Sequence, residues 1–206
     1  MTSRYCAEFT VMTSKPEAES LFESFCDKYE ISWQKVSVEK NPTPDYIVLL
    51  NGQSIYFEVK QIDKDNNFMA CGNISSRITG AHIRQKILDS RKQIQVGAKH
   101  KTPSILLVYN NLDPMQLFGT EQHDFITAMY GEMTAELKDN GIVGSYHGRN
   151  SLLRDDRNTS FSAVGYLRRS PTGPVVRLYE NAFARNSLNI VSFPLCFEVV
   201  YVEVHP

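Results

Sequence analysis

Two acids and a lysine interrupt an otherwise apolar stretch of the sequence, PDYIVLLNGQSIYFEVK. Asp45 comes directly before the first apolar run, and Glu58 and Lys60 lie at the end of the second. The two runs are joined by Asn51-Gly52, a strong short-range signal for a β-hairpin, because both turn positions take a positive φ. The sequence therefore predicts two antiparallel strands that carry charged side chains.

The register of this hairpin decides where the charges meet. A two-residue turn places Asp45 directly opposite Glu58, with Cβ atoms about 4.5–5.5 Å apart. A four-residue loop leaves that register unchanged, whereas a three-residue loop shifts it by one residue. Lys60 shares the face of Glu58, because side chains alternate along a strand. The other face points to the core and carries Ile55, Phe57 and Val59.

Two opposed carboxylates repel each other, so something must offset the cost of this arrangement. A shared proton would do so, and so would a divalent cation. Mg²⁺ prefers one or two protein carboxylates, several waters and substrate phosphate oxygens. The ammonium of Lys60 would orient or deprotonate water, or stabilise charge that develops on a phosphate. These residue types point to metal-assisted hydrolysis of a phosphodiester; the alternative is an ordinary hairpin with solvent-facing charges.

The segments around the hairpin predict an α/β domain from their hydrophobic periodicity. PEAESLFESFCDKYE predicts a helix with acids in its first turn, and SWQKVSV predicts a strand. After a polar loop, AHIRQKILDSRKQIQ predicts an amphipathic helix with Ile83, Ile87, Leu88 and Ile94 on one side, and SILLVYN predicts a strand buried on both faces. The order is thus helix, three strands, helix and strand, with a further strand predicted upstream in RYCAEFTVM.

The remainder of the chain, from about residue 111, predicts one more helix and several strands. HDFITAMYGEMTAELKD predicts a helix with Met133 and Leu137 among its inward-facing residues. IVGSYH, SFSAVGYLR, VVRLYE and LCFEVVYVEV predict strands. Because no Pro-, Gly- or Ser-rich linker separates the halves, we expect a single domain over residues 1–206. Its core would cover about 16–110, with a C-terminal α+β elaboration at about 111–206.

Pro44-Asp45, twelve intervening residues and then Glu58-Val59-Lys60 resemble the signature of the PD-(D/E)xK nuclease superfamily, the restriction-endonuclease-like proteins. That family shares a core of a helix, three mostly antiparallel strands, a helix and a further strand, with the acids on strands two and three. The resemblance covers roughly the first 110 residues and identifies no subfamily. It implies a Mg²⁺-dependent endonuclease, with Mn²⁺ as a substitute, that hydrolyses DNA in a restriction-type or structure-selective way.

The resemblance also implies roles for individual residues. Asp45 and Glu58 would hold the metal and Lys60 would activate or position water, which makes these three the expected catalytic residues. Members of the family often add an acid from the first helix to the metal site. Glu19 is the best candidate for that role, and Glu17 and Glu23 stay open. The alternative for each of these helix acids is a solvated residue near the helix start.

A basic segment follows the hairpin: from Arg77 to Lys101 there are seven basic residues and one acid, Asp89. In the family the corresponding helix flanks the active-site cleft, so its polar side chains are candidates for contacts with DNA phosphates, which give affinity without sequence readout. A solvated helix face explains the same charges equally well. The candidates for nucleic-acid binding are Arg84, Gln85, Lys86 and Lys92.

Composition excludes several other classes of protein. No apolar run approaches the roughly 18 residues of a membrane span, and the N-terminus lacks the features of a signal peptide, so we expect a cytoplasmic protein without membrane association. The net charge of −1 does not by itself indicate a nucleic-acid binder. The cysteines lie far apart and have no zinc-binding spacing, which sets aside zinc and disulfide scaffolds; they are Cys6, Cys26, Cys71 and Cys196.

Two other hypotheses compete with a nuclease. One keeps the nuclease fold as a catalytically inactive nucleic-acid-binding or assembly subunit, and the other is an ordinary hairpin in an unrelated α/β protein. The intact Asp–Glu–Lys trio argues against the inactive subunit, because a protein freed from catalysis has no reason to keep opposed carboxylates. For an active nuclease the expected partner is DNA, and cutting both strands calls for a homodimer or for two binding events.

Overall fold

A mixed seven-stranded β-sheet with helices on both faces organises the described part of the chain. The computed structural model describes residues 15–37, 41–63, 69–71, 74–113, 118–139, 141–189 and 193–204. In chain order the elements are α1 (Glu17–Lys28), β1 (Ser32–Lys35), β2 (Tyr46–Leu50), β3 (Gln53–Ile62), β4 (Met69–Cys71), β5 (Ile74–Ser76), α2 (Ala81–Asp89), α3 (Arg91–Lys99), β6 (Ser104–Asn110), α4 (Gln122–Tyr130), β7 (Glu132–Lys138), β8 (Gly141–Arg149), β9 (Ala163–Arg168), β10 (Val175–Glu180) and β11 (Phe197–Val200).

The strand order in the large sheet is β1-β2-β3-β6-β9-β10-β11. β1, β2 and β3 form an antiparallel meander, and β6 lies beside β3 in parallel. β9 runs parallel to β6, β10 antiparallel to β9, and β11 parallel to β10. β4 with β5 and β7 with β8 form separate two-stranded sheets. The predicted succession of helix, three strands, helical segment and strand is present from α1 to β6, but the segment predicted as a polar loop between β3 and α2 contains the short strands β4 and β5.

Two hydrophobic cores lie on opposite faces of the sheet, because side chains alternate along each strand. α1 covers one face, where the rings of Phe22 and Phe57 are 5.1 Å apart. α2, α3 and α4 cover the other face with buried side chains that include Ile83 and Phe125. β6 contributes to both cores and is buried along its whole length, as expected for a strand between two parallel neighbours.

The turn between β2 and β3 confirms the predicted hairpin register. Asn51 has a φ of 46° and Gly52 a φ of 83°, which are the left-handed values that a two-residue hairpin turn needs. The ladder from this turn ends with Tyr46 opposite Phe57. The two acids of the hairpin therefore occupy the next opposed positions, where β2 begins and β3 continues.

The helix predicted in AHIRQKILDSRKQIQ consists of two helices, α2 and α3, that meet at Ser90. Ser90 has φ −91° and ψ 0°, at the margin of the helical region, and it separates the two helices. Both short helices bury isoleucines against the same face of the sheet. Leu88 was predicted to face the core but is 39% exposed, whereas Ile83, Ile87 and Ile94 are fully buried.

The prediction of one helix in HDFITAMYGEMTAELKD is wrong in its second half. α4 ends at Tyr130, Gly131 has a φ of 100°, and β7 follows immediately. A Cβ at Gly131 would lie 2.6 Å from the Arg149 carbonyl oxygen, so the chain needs glycine there. Met133 and Leu137 lie on the β7–β8 hairpin and are exposed. Their spacing fits both structures, because residues four apart share a face in a helix and in a strand.

The C-terminal strands complete the large sheet. VVRLYE and SILLVYN coincide with β10 and β6, while β9 and β11 are shorter than predicted. The strand predicted in RYCAEFTVM lies outside the described residues. Among the helices that the structure describes, none is long and apolar enough to cross a membrane.

Candidate metal and active site

Two neighbouring segments of the chain hold Asp45 in place directly before β2. Its carbonyl oxygen accepts the N–H of Val36 at 2.8 Å, and its Oδ2 accepts the N–H of Val59 on β3 at 2.8 Å. Burial raises the pKa of Asp45, and the Val59 hydrogen bond and the charge of Lys60 offset part of that rise. The carboxylate is therefore fixed against the backbone of β3, one residue beyond the buried acid of that strand.

Glu58 is a buried carboxylate with an unused hydrogen-bonding capacity. The residue is 0% exposed. Its Oε1 contacts the Lys60 ammonium, and its Oε2 makes no hydrogen bond of ordinary geometry with the described residues. Burial raises the pKa of Glu58 to about 7, with a further contribution from the charge of Asp45 and opposing ones from Lys60 and from the backbone N–H of Asp45. Such a group destabilises the fold unless a proton or a cation compensates it.

Lys60 supplies positive charge next to these acids. Burial by itself lowers the pKa of Lys60, but Glu58 and, more weakly, Asp45 raise it above its ordinary value. Asp89, the last residue of α2, also raises it, more weakly than Glu58 and Asp45 do. Lys60 is thus an ammonium group in the metal-free protein and acts as the counter-charge of Glu58.

The site opens onto a groove of about 610 Å³, which we call the acidic groove; it lies between the start of α1 and the second half of β3. The charged residues of its lining are four acids and two lysines. An excess of carboxylates attracts cations and repels phosphate groups. The acids are Glu17, Glu19, Asp45 and Asp63, and the lysines are Lys15 and Lys60.

Glu19 lines the acidic groove but has partners outside the Asp45–Glu58 pair. It forms an ion pair with Lys35, and the Tyr46 hydroxyl lies 3.4 Å from its Oε2. Its negative charge contributes to the raised pKa of Asp45, so it acts on the site electrostatically. The carboxylates of Glu19, Asp45 and Glu58 do not all lie within 4.8 Å of one another among the described groups. This spacing favours a contact through water over direct coordination by all three.

The other two acids of α1 that the sequence left open are paired elsewhere. Glu17 forms an ion pair with Arg169. Glu23 forms an ion pair with Lys15 and accepts the Tyr46 hydroxyl at 2.8 Å. These contacts leave Glu19 as the α1 acid whose charge reaches Asp45.

Gln61 fixes α1 beside β3. Its Oε1 accepts the N–H of Ala18 at 3.0 Å, and its Nε2 donates to Asp63 at 2.7 Å. The Ala18 N–H belongs to the first turn of α1, where backbone donors have no partner within the helix. Because Gln61 points to the α1 side of the sheet, it sets the position of the α1 acids over the acidic groove without joining the acid pair.

The donor set of this site fits a hard divalent cation. Asp45 and Glu58 offer carboxylate oxygens, which Mg²⁺ and Mn²⁺ prefer. The observation that supports this fit is the buried Oε2 of Glu58, which a cation would satisfy in place of a missing protein donor. The fixed carboxylate of Asp45 adds the second negative charge that such an ion needs.

A second acidic cluster, at the start of α4, was not predicted from the sequence. Glu121, His123 and Asp124 have potential ligand atoms within 4.8 Å of one another. However, Arg77 forms ion pairs with both acids, and Asp124 accepts the N–H of Gly80 at 2.8 Å. The two acids also form a capping box on α4, for which the E-x-x-D spacing was the available signal. Because protein donors satisfy these carboxylates, the cluster joins α4 to the start of α2 rather than offering a metal site.

The four predicted nucleic-acid-binding residues lie in different environments. Arg84 donates to the Thr79 carbonyl at 3.0 Å and is engaged within the protein. Gln85 is exposed and donates to the last residue of α2, and Lys86 is half-buried. Lys92 is exposed and lines a separate groove beside α3.

Comparison with known proteins gives this chain no relative. No protein-family model matches it, and neither a curated protein nor a solved structure is similar to it. Its function is therefore inferred from the chemistry and geometry of its own residues.

Proposed function

We propose that this protein is a metal-dependent endonuclease that hydrolyses DNA phosphodiester bonds with Mg²⁺, or Mn²⁺ in its place. The observation that carries the proposal is Glu58, a fully buried carboxylate that receives no hydrogen bond of ordinary geometry from the described residues and lies beside the fixed carboxylate of Asp45. A protein that used the hairpin only as scaffold would lose stability by keeping this pair, because burying two neighbouring carboxylates with Lys60 as their nearby counter-charge is costly. A cation explains why the pair is present.

We also propose that residues from α1 to β6 form a restriction-endonuclease-like core. The antiparallel meander β1-β2-β3, the parallel partner β6 and the helices on both faces support that assignment. The position of the acids supports it as well, since Asp45 stands at the start of the second strand and Glu58 lies in the third.

The residues of the site have separate roles in hydrolysis. A divalent cation bound here would lower the pKa of water and neutralise charge that develops on the phosphate. Asp45 and Glu58 would hold that positive charge at the edge of the acidic groove. The Lys60 ammonium, which contacts Glu58 in this structure, would orient the attacking water or stabilise the phosphate once the carboxylate had taken another partner.

The acidic groove is consistent with this division of roles. Its lining is net negative, so a phosphate diester enters it only when positive charge has been added. Activity should therefore depend completely on a divalent cation.

The test is cleavage of supercoiled plasmid DNA with Mg²⁺ or Mn²⁺, read as nicked and linear products. We expect Asp45→Asn and Glu58→Gln to abolish cleavage, and Lys60→Ala to reduce its rate about a hundredfold or more. Both amide variants keep the shape of the side chain, and circular dichroism and urea unfolding would verify that each variant folds. A dependence of the linear product on protein concentration would indicate that two copies act together.

The matched control is Glu30→Gln, which also removes one carboxylate. Glu30 is an exposed residue beyond the far end of α1, and a helix of 12 residues separates it from the acidic groove by about 18 Å. Its cleavage rate should equal that of the unmodified protein. Cleavage that survives Asp45→Asn would contradict the proposal, and DNA binding without any cleavage would favour the inactive nucleic-acid-binding subunit.

A further inference from the structure

A second groove of about 550 Å³, which we call the basic groove, runs between residues 41–43 and one face of α3. The α3 face is formed by Lys92, Gln95, Val96 and Lys99. These positions are three, four and seven residues apart, so they project from the same side of the helix. The opposite side of α3 buries Ile94 and Gly97 against the sheet.

The basic groove has the opposite charge to the acidic groove. No acidic residue lines it within the described part of the chain, and the sequence between Ser90 and Pro103 contains no Asp or Glu. Neither Lys92 nor Lys99 forms an ion pair with a described carboxylate, whereas Lys35 and Lys60 each do. Two unpaired ammonium groups on one helix face make a site for an anion.

The basic groove lies close to the candidate site. Thr43 lines the basic groove and lies two residues before Asp45, so their Cα atoms are at most about 7 Å apart. At the other side, α3 packs against β3 through Gly97, where a Cβ would lie 3.0 Å from Tyr56, two residues before Glu58. The basic groove therefore runs along α3 within a short distance of the acid pair.

We propose that the basic groove binds the sugar–phosphate backbone of the nucleic acid on one side of the phosphate that is cleaved. This inference rests on the proposed nuclease function and adds the location of the substrate. Lys92 and Lys99 are separated by about 10 Å along the helix axis. That distance spans about three phosphates of one strand, at about 3.4 Å of duplex axis per phosphate. Lysines are point charges, so the groove gives affinity and orientation but no sequence readout.

The experiment measures binding separately from cleavage. Glu58→Gln protein in EDTA is titrated with fluorescent duplex DNA, and in a second arm with duplex RNA of the same sequence, over a range of salt concentrations. Adding Lys92→Gln and Lys99→Gln together should weaken binding at least tenfold at about 0.1 M salt and lower the slope of log K against log salt by about two. The arm with the tighter binding identifies the preferred nucleic acid.

The matched control is the pair Lys28→Gln and Lys138→Gln, which removes the same charge from the end of α1 and from β7. This control pair should change the affinity by no more than about twofold. It should change the salt slope by no more than a few tenths. Equal effects of the two pairs would overturn the inference, as would binding to neither nucleic acid. A further test uses vesicles that contain phosphatidylserine. If they bind through Lys92 and Lys99 and DNA does not, the groove binds a membrane surface and the inference is overturned.

Cleavage of the same duplexes with Mg²⁺ by protein with an intact Glu58 distinguishes the two proposals. Binding that depends on Lys92 and Lys99 without any cleavage would leave the groove assignment in place and contradict the nuclease. If replacing these lysines changes neither cleavage nor binding, the proposed role of the basic groove is wrong and the nuclease proposal stands.

Discussion

At the scale of single residues, the central feature is the cost of Glu58. Its carboxylate is buried, one oxygen has no described hydrogen-bond partner, and the nearby Asp45 carries the same charge. Lys60 offsets only part of this cost, because the pKa of Glu58 stays raised to about 7. Burial therefore makes Glu58 bind a proton, or a cation in its place, more tightly than an exposed glutamate does.

This cost predicts how the stability of the metal-free protein depends on pH. The unfolded pKa of Glu58 is 4.5 and the folded one is about 7, so the folded state binds the proton more tightly. Stability should therefore fall as pH rises from 4.5 through about 7, by about 3 kcal/mol in total, and then level off. Urea unfolding in EDTA at pH 5 and pH 8 measures this loss.

Glu58→Gln is the control for that measurement, because its amide does not titrate. The variant should lose less stability than the unmodified protein between the two pH values. Mg²⁺ at pH 8 should stabilise the unmodified protein and stabilise Glu58→Gln much less, since the variant keeps only the Asp45 carboxylate of the two proposed ligands. Equal pH dependence of the two proteins would show that Glu58 does not carry a raised pKa.

At the scale of elements, the β2–β3 turn determines whether the acids meet. A slip of one residue would send every side chain of a strand to the other face, and the left-handed turn at Asn51-Gly52 prevents it. The hydrogen bond from Val59 to Asp45 holds the far end of the same hairpin. The hairpin is therefore fixed at both ends, with the charged face toward the site.

Gly52→Ala tests the turn. A Cβ at Gly52 would meet no atom within 4 Å, so the change acts through the backbone alone. With φ at 83°, alanine should destabilise the protein by about 1 kcal/mol in urea unfolding. Gly141→Ala is the matched control, because Gly141 is equally open and lacks a positive φ. Its stability should stay the same or rise slightly; a loss as large as that of Gly52→Ala would contradict the backbone explanation.

At the scale of the whole molecule, the C-terminal strands are part of one structure with the site. β6 lies between β3, which carries Glu58, and β9, which belongs to the C-terminal half. Phe197 of β11 packs against Phe25 of α1 with ring centroids 5.0 Å apart, and stacks on Phe57 of β3. The core that supports the hairpin is thus closed by residues almost 140 positions further along the chain.

Phe197→Ala tests this closure. The ring is 5% exposed and shares contacts with both α1 and β3, so its removal should destabilise the protein by about 3 kcal/mol. Leu195→Ala is the control two residues away, since Leu195 is 102% exposed and its loss should cost less than about 0.5 kcal/mol. Urea unfolding measures both. A small effect of Phe197→Ala would indicate that the first half of the chain is stable without β11.

Local sequence signals predicted the elements that depend on local chemistry. The Asn51-Gly52 turn, its register and the apolar strands β2, β6 and β10 follow from backbone preferences and from side-chain alternation. The same reasoning gave a wrong element where one segment fits both the helix and the strand periodicity. Met133 and Leu137 fit a helix and a strand equally well, and the close approach of the Arg149 carbonyl to Gly131 selects the strand. That approach comes from the fold and has no local signal.

The sequence by itself determined that two acids and a lysine share one face of a hairpin, because turn type and strand period are properties of neighbouring residues. Only the tertiary structure decided what those charges experience. The burial of Glu58, the pairing of Glu19 with Lys35 and the separation of an acidic from a basic groove all depend on elements distant in sequence. Burial and electrostatic environment arise from packing between such elements, which no local pattern encodes.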